Sequence, residues 1–137
     1  MISRSSFAVV FVLTLAAGFA LSGCSEESVT PEEDDFVGVY ALISANGKSL
    51  PASVSHEGHT LEIRSGAFTI NADNTCKSRM VFVPLSGSEE VREVNATYTK
   101  TGSRLTMYWE GAGMTIGTLD GNTFTMDNAG LLLVYEK

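Results

Sequence analysis

The amino-acid sequence predicts an all-β protein, a small antiparallel barrel of eight or nine strands in up-and-down order. Three observations predict this class. After the opening apolar segment, apolar and polar residues alternate with a period of two through short segments. Glycine, aspartate and asparagine separate these segments at short intervals. No window of twelve or more residues in that part shows the 3.6-residue period of a helix.

Nine short segments carry the alternation and are predicted as strands. In chain order they are residues 36–44, 61–64, 67–71, 76–83, 91–100, 104–109, 114–119, 122–126 and 131–135. Turn residues fill most intervals, among them Ser65-Gly66, Asp73-Asn74 and the hairpin pair Asp120-Gly121. Because most connections have two to five residues, we expect strands to pair in sequence order, and closure into a barrel removes the exposed edges.

One connection is much longer than the others. Residues 45–60 read ANGKSLPASVSHEGHT. A connection of that length in a compact meander is usually functional or mobile. We expect it to lie as a loop across one open end of the barrel.

Alternation also predicts which side chains point inward. The candidates for barrel lining and ligand contact are Tyr40, Leu42, Phe68, Met80, Phe82, Tyr98, Met107, Trp109, Met114, Phe124 and Met126. Methionine suits a surface that accommodates varied apolar groups, and small inward residues such as Ser78 and Thr118 would leave room. An eight-stranded barrel is also narrow enough to be filled by its own side chains. A ligand cavity and a filled core therefore both stay open.

Residues 1–23 have the pattern of a signal peptide. Arg4 is their single charged residue, and Phe7 to Leu21 form an uncharged run of fifteen. That run is shorter than the roughly 20 apolar residues that span a bilayer. The small residues after it suit a cleavage site.

The four residues Leu21-Ser22-Gly23-Cys24 resemble the lipobox of bacterial lipoproteins. The resemblance implies that the Cys24 thiol receives a diacylglyceryl group, that cleavage precedes Cys24, and that acyl chains there hold the protein in a membrane. Because Ser25 rather than aspartate follows, it further implies the outer membrane of a bacterial cell envelope.

Residues 24–35 are predicted to form a flexible linker, since residues 25–35 contain six acids, no base and one proline. Residues 36–137 hold the remaining ten acids and eight bases, and are long enough for one domain with one modest core. No basic stripe is present to neutralise phosphates, so nucleic acid is not an expected partner.

Within residues 36–137, Gly38-Val39-Tyr40 resembles the Gly-x-Trp sequence that opens lipocalins, with tyrosine in place of tryptophan. The stretches GVYALISANGKSLPA, GAFTINADNT and GLLLVYEK follow in an order similar to that of small lipocalin-like lipoproteins of bacteria. This resemblance implies an open-ended cup that holds a small hydrophobic or amphipathic molecule.

The sequence predicts no catalytic residues, no metal site and no cofactor. His56-Glu57-Gly58-His59 is the one cluster of metal-capable side chains, and Gly58 favours flexibility over the fixed geometry that zinc requires. No Gly-x-Ser-x-Gly sequence marks a nucleophile. Two functions are left: a carrier of a small ligand, and a non-catalytic interaction or inhibitor module that acts through exposed loops on a filled barrel.

Overall fold

The computed structural model describes residues 35–137, which fold into ten β-strands. They are β1 (Gly38–Ala45), β2 (Lys48–Ser49), β3 (Ala52–His56), β4 (His59–Ile70), β5 (Thr75–Pro84), β6 (Glu90–Thr101), β7 (Arg104–Trp109), β8 (Gly113–Asp120), β9 (Thr123–Asn128) and β10 (Leu131–Glu136). The predicted signal peptide, Cys24 and all of the predicted linker except Asp35 lie outside the described residues.

The strands form one antiparallel sheet that closes on itself. From β4 to β10 each strand pairs with the next, and β10 pairs with β1. The closing ladder joins β1 to β4, from the pair Gly38 and Ile70 to the pair Ala41 and Ala67. Eight strands, β1 and β4–β10, therefore make a closed up-and-down barrel. The predicted fold class is confirmed.

The two remaining strands lie where β1 and β4 separate. Beyond Ala41, β1 pairs with the short β2, while the first half of β4 pairs with β3. Eight strands thus surround one end of the barrel and ten surround the other. Because barrel diameter grows with strand number, we call these the narrow end, at turns 71–75, 101–104 and 120–123, and the wide end, at turns 56–59, 84–90, 109–113 and 128–131.

Two predictions about connections were wrong. Residues 45–60 are not a loop across the opening, because they form β2, β3 and the start of β4. Glu57 and Gly58 make the tight turn between β3 and β4, each with a positive φ (51° and 79°), as a type I′ hairpin turn requires.

Ser65-Gly66 is likewise not a turn between two strands. β4 continues through these two residues without a break. Its ladder with β5 shifts between Ile63 and Ser65, which places a bulge at Arg64. Gly66 serves packing instead: a Cβ at that position would lie 3.1 Å from Cβ of Leu42.

The narrow end is filled by aromatic side chains. The ring of Phe68 stacks on Phe124 with centroids 4.6 Å apart, and the Tyr135 ring lies 5.8 Å from Phe68. Phe124 also meets the edge of Tyr40 at 6.2 Å. Phe68, Phe124, Tyr40 and Tyr135 are all fully buried. Such contacts add to the free energy gained from burying large apolar area.

Phe36, which precedes β1 in the chain, packs over the narrow end. Its ring packs edge-on against Tyr98 at 6.1 Å, and Lys100 Nζ lies 5.0 Å above the ring. The Tyr40 hydroxyl donates a hydrogen bond of 2.6 Å to the Phe36 carbonyl oxygen, and the Tyr98 hydroxyl donates one of 2.5 Å to that of Asn71. The segment before β1 is thereby fixed across the narrow end.

Candidate functional site

The wide end contains a cavity of about 930 Å³. Pockets that bind small molecules commonly enclose about 300–1,000 Å³. Its apolar lining comes from six of the eight barrel strands, namely from Leu61, Met80, Phe82, Val94, Trp109, Met126, Leu131 and Leu133. Polar side chains at the mouth are His56, Glu57, His59, Glu90, Arg92 and Asn128. The interior is thus neither wholly filled nor wholly hollow.

Strand alternation determines which side chains of β5 form the cavity wall. On β5 the inward positions are Cys76, Ser78, Met80 and Phe82, progressing from the narrow to the wide end. Cys76 is 1% exposed, whereas Ser78 and Met80 are half-buried. The small hydroxymethyl group of Ser78 leaves the space that a larger apolar side chain would fill.

The mouth is formed by two hairpins that extend past their neighbours. The β6–β7 ladder runs from Ala96 to Thr101, whereas β6 begins at Glu90. The first part of β6 therefore continues beyond the end of β7 with β5 as its ladder partner. Together with the β3–β4 hairpin, this projection extends the wall toward solvent.

Trp109 lies at the floor of the cavity. Its Nε1 donates a 2.9 Å hydrogen bond to Oγ1 of Thr115, which is buried on β8, and its ring packs edge-on at 6.3 Å against Phe68. Both contacts fix the indole at the boundary between the filled and the open halves. Burial raises the pKa of Tyr135, and the Ser78 hydroxyl opposes part of that rise.

The structure divides the eleven predicted lining residues into three groups. Met80, Phe82, Trp109 and Met126 line the cavity. Tyr40, Leu42, Phe68, Tyr98, Met107 and Phe124 point inward but pack in the hydrophobic core. Met114 is on the outer surface, 58% exposed.

The prediction that Met114 points inward was wrong because the register of β8 was misplaced by one residue. Trp109 pairs with Gly113, so Met114 lies opposite the outward Tyr108. Cross-strand partners share a face, and a shift of one residue reverses every side chain. The inward residues of β8 are Thr115, Gly117 and Leu119, while Ile116 and Thr118 face solvent. A three-residue loop, with positive φ at Gly111 and Gly113, sets this register.

The prediction missed Arg92 and Glu90. Arg92 pairs with Met80 and Glu90 with Phe82, so both share the inner face of β6 with Val94, Ala96 and Tyr98. The Arg92 guanidinium carbon lies 5.6 Å from the centroid of the Phe82 ring. The signal was available, since the alternation that marks Val94 inward extends by two-residue steps to both positions.

His56 and His59 are cross-strand partners at the tip of the β3–β4 hairpin. Nε2 of His56 is 3.9 Å from the Glu57 carboxylate, whose side chain is 72% exposed. Within residues 35–137, no group of three or more histidine, cysteine, aspartate or glutamate side chains is placed to hold a metal ion. In the same residues, no helix is long and apolar enough to cross a bilayer.

Cys76 is a free, buried thiol in the core. Burial raises its pKa to about 11. Because the thiolate is the reactive form of cysteine, this side chain is poorly suited to act as a nucleophile or metal ligand.

Comparison of the chain with protein-family models, with curated proteins and with solved structures finds no match.

Proposed function

We propose that this chain is a non-catalytic lipoprotein of the bacterial cell envelope, anchored by acyl chains on Cys24, whose lipocalin-like barrel binds a small hydrophobic or amphipathic molecule in the wide end. The ligand-binding part is carried by one observation, the 930 Å³ cavity with an apolar lining from six of the eight barrel strands. The anchor is carried by the lipobox-like sequence Leu21–Cys24.

The cavity favours a carrier over an interaction module on a filled barrel. A filled barrel places large side chains through its whole length, as Phe68 and Phe124 do at the narrow end. In the wide half, Ser78 and Val94 are cross-strand partners on the inner face and both remain half-buried. Apolar surface left open in this way favours an apolar occupant.

Ligand binding is testable with Trp109, the single tryptophan of the chain, as a fluorescent probe. The full chain in lipid nanodiscs is titrated with a panel of lipophiles, and native mass spectrometry records any molecule retained from the host. We expect saturable changes in Trp109 fluorescence for at least one class of lipophile.

A matched pair of variants controls for partition into the nanodisc. Val94→Phe adds a ring inside the cavity and should abolish the saturable signal, whereas Asn95→Phe adds the same ring on the exposed outer face and should leave it unchanged. Equal responses of both variants, or no retained ligand together with no response to any lipophile, would refute ligand binding.

The anchor is tested separately by intact-mass measurement of protein made in a bacterial host. We expect the mass of a chain that begins at Cys24 and carries acyl groups. Cys24→Ser should lose that modification, and Cys76→Ser, which changes the other cysteine of the chain, should keep it. An unmodified Cys24 in the otherwise native chain would contradict the anchor.

A further inference from the structure

Arg92 is a charged residue on the inner face of the barrel. On that face Met80 lies opposite it, and its neighbours along β6 are Val94 and Glu90. The guanidinium leans toward the mouth, because it lies over Phe82, one inward position nearer the wide end than Met80. Arginine stacks on aromatic faces in this way while its N–H groups stay available at the edge.

Within residues 35–137, no carboxylate lies within 4.0 Å of the Arg92 guanidinium, unlike several other basic groups. Arg64 is 3.1 Å from Glu62, and Lys77 is 3.5 Å from Glu93. A guanidinium has five donors in a fork that matches carboxylate and phosphate. Arg92 therefore presents unused anion-binding capacity at the mouth of an apolar cavity.

Two acids at the mouth also bear on a ligand's charge. The Glu57 side chain is at a hairpin tip, largely in solvent and close to His56. Glu90 is exposed at the first position of β6, two residues from Arg92 on the same face. Screening by water weakens the effect of such exposed charges. Arg92 is exposed as well, but its guanidinium packs over the Phe82 ring at the cavity wall, which places this positive charge where the headgroup of a bound ligand would lie.

We propose that the ligand is an amphipathic anion, with a carboxylate or phosphate headgroup on Arg92 and its apolar body directed toward Trp109. This inference rests on the proposed ligand-binding function and specifies its ligand class. The headgroup stays near solvent, where its charge is partly hydrated. The apolar body occupies the space between Met80, Val94, Met126 and Leu133.

The charge preference is tested by Trp109 fluorescence titration of the full chain in nanodiscs. The probes are tetradecanoate, tetradecyl phosphate and the neutral tetradecan-1-ol, each below its micelle concentration. We expect at least one of the anions to bind more tightly than the alcohol. Arg92→Gln should weaken binding of that anion about tenfold and leave the alcohol unchanged, as expected for loss of a charge-assisted contact. The two anionic arms distinguish a carboxylate from a phosphate headgroup.

Two further variants distinguish a local contact from the net charge of the protein. Arg79→Gln removes the same charge from the outer face of β5 and should leave all three affinities unchanged. Glu90→Gln removes a repulsive charge at the mouth and should tighten anion binding by a smaller factor. Equal weakening by Arg92→Gln and Arg79→Gln would overturn the role of Arg92.

Orientation is tested with brominated ligands, because bromine quenches tryptophan only at short range. The inference predicts stronger quenching of Trp109 by 14-bromotetradecanoate than by 2-bromotetradecanoate. The reverse order would overturn the orientation. Binding of the alcohol as tightly as both anions, unaffected by Arg92→Gln, would overturn this inference and leave ligand binding intact. Failure of all three probes and of the whole lipophile panel would overturn both.

Discussion

In both halves of the barrel, strand alternation turns every second side chain inward. The halves differ in the size of those inward side chains. At the narrow end, Phe68, Phe124 and Tyr135 are in mutual ring contact and exclude solvent. Toward the wide end, the inward positions of β5 are Ser78, which is the ladder partner of Phe68, and then Met80, and two extra strands increase the circumference. Inward alternation thus defines a lining, whereas side-chain volume and strand number decide whether the lined space is filled.

The largest expected effect concerns the filled half. Phe124→Ala removes a fully buried ring that contacts Tyr40, Phe68 and Tyr135, and should lower the free energy of unfolding by about 3–5 kcal/mol. Urea unfolding of the full chain, followed by circular dichroism, measures this change. Tyr108→Ala removes an exposed ring from the outer face and is expected to cost less than about 0.5 kcal/mol. Similar losses for the two variants would contradict the assigned core.

Three methionines allow the same substitution to be compared in the filled half, in the open half and on the outer surface of the barrel. Met107 is fully buried, Met80 borders the cavity, and Met114 is 58% exposed. Truncation to alanine should cost about 2–5 kcal/mol for Met107, about 1 kcal/mol for Met80 and less than about 0.5 kcal/mol for Met114. The same urea titration gives all three values. A loss of stability for Met114→Ala equal to that for Met107→Ala would contradict the register assigned to β8.

A smaller effect is expected at Gly117, which lies against the Phe124 ring on the inner face of the barrel. A Cβ there would lie 2.5 Å from Cζ of the Phe124 ring and 3.1 Å from the Thr125 carbonyl oxygen. Gly117→Ala should therefore displace the ring and destabilise the fold by about 1–3 kcal/mol, as overpacking does. Thr118→Ala, at the next and outward position, is the control and should be close to neutral. Unchanged stability of Gly117→Ala would show that the ring is not held where the structure has it.

The smallest effect is the dependence of stability on alkaline pH. Burial raises the pKa of Cys76 to about 11 and raises that of Tyr135. A raised folded-state pKa favours the protonated native form, so its stabilisation is complete below the unfolded-state pKa and decreases as pH rises through the folded-state pKa. The urea midpoint should fall between about pH 9 and 11, since an unfolded thiol ionises near pH 8.5.

Cys76→Ala should make that decline shallower, and native Cys76 should react slowly with a thiol reagent at pH 8 until the protein is unfolded. A midpoint that stays constant from pH 8 to 11 in the native sequence would show that the thiol is not desolvated. Rapid labelling of the folded protein would lead to the same conclusion.

Much of the barrel is predictable from the sequence because strand faces and tight turns are determined by residues that are close together in the chain. Alternation identified the inward faces of β1, β5 and β10. Asp120-Gly121 predicted a hairpin between β8 and β9, which is present, but its two-residue turn is Gly121-Asn122, one position later. Register across the loop of residues 110–112 was not predictable, because several loop geometries fit three such residues before Gly113. The bulge at Arg64 was missed for a related reason, since Ser65-Gly66 has the composition of a turn and its extended conformation depends on tertiary packing.

The cavity was harder to predict than the faces that surround it. Met80, Phe82, Trp109 and Met126 were identified by alternation, but nothing local distinguishes them from core residues such as Met107. That distinction depends on the insertion of β2 and β3 between β1 and β4, a non-local arrangement. Arg92 could have been predicted by extending the β6 alternation toward the end of the strand.

The insertion of residues 48–56 between β1 and β4 widens one end of the barrel and also contributes Ala52 and Val54 to the hydrophobic core. The ladder from Gly38–Ile70 to Ala41–Ala67 closes the cylinder without any contribution from β2 or β3. Shortening or lengthening that insert would therefore change the diameter of the wide end and leave the ladder between β1 and β4 in place. Changes of length in this segment are thus a route to a wider or narrower cavity on the same closing ladder.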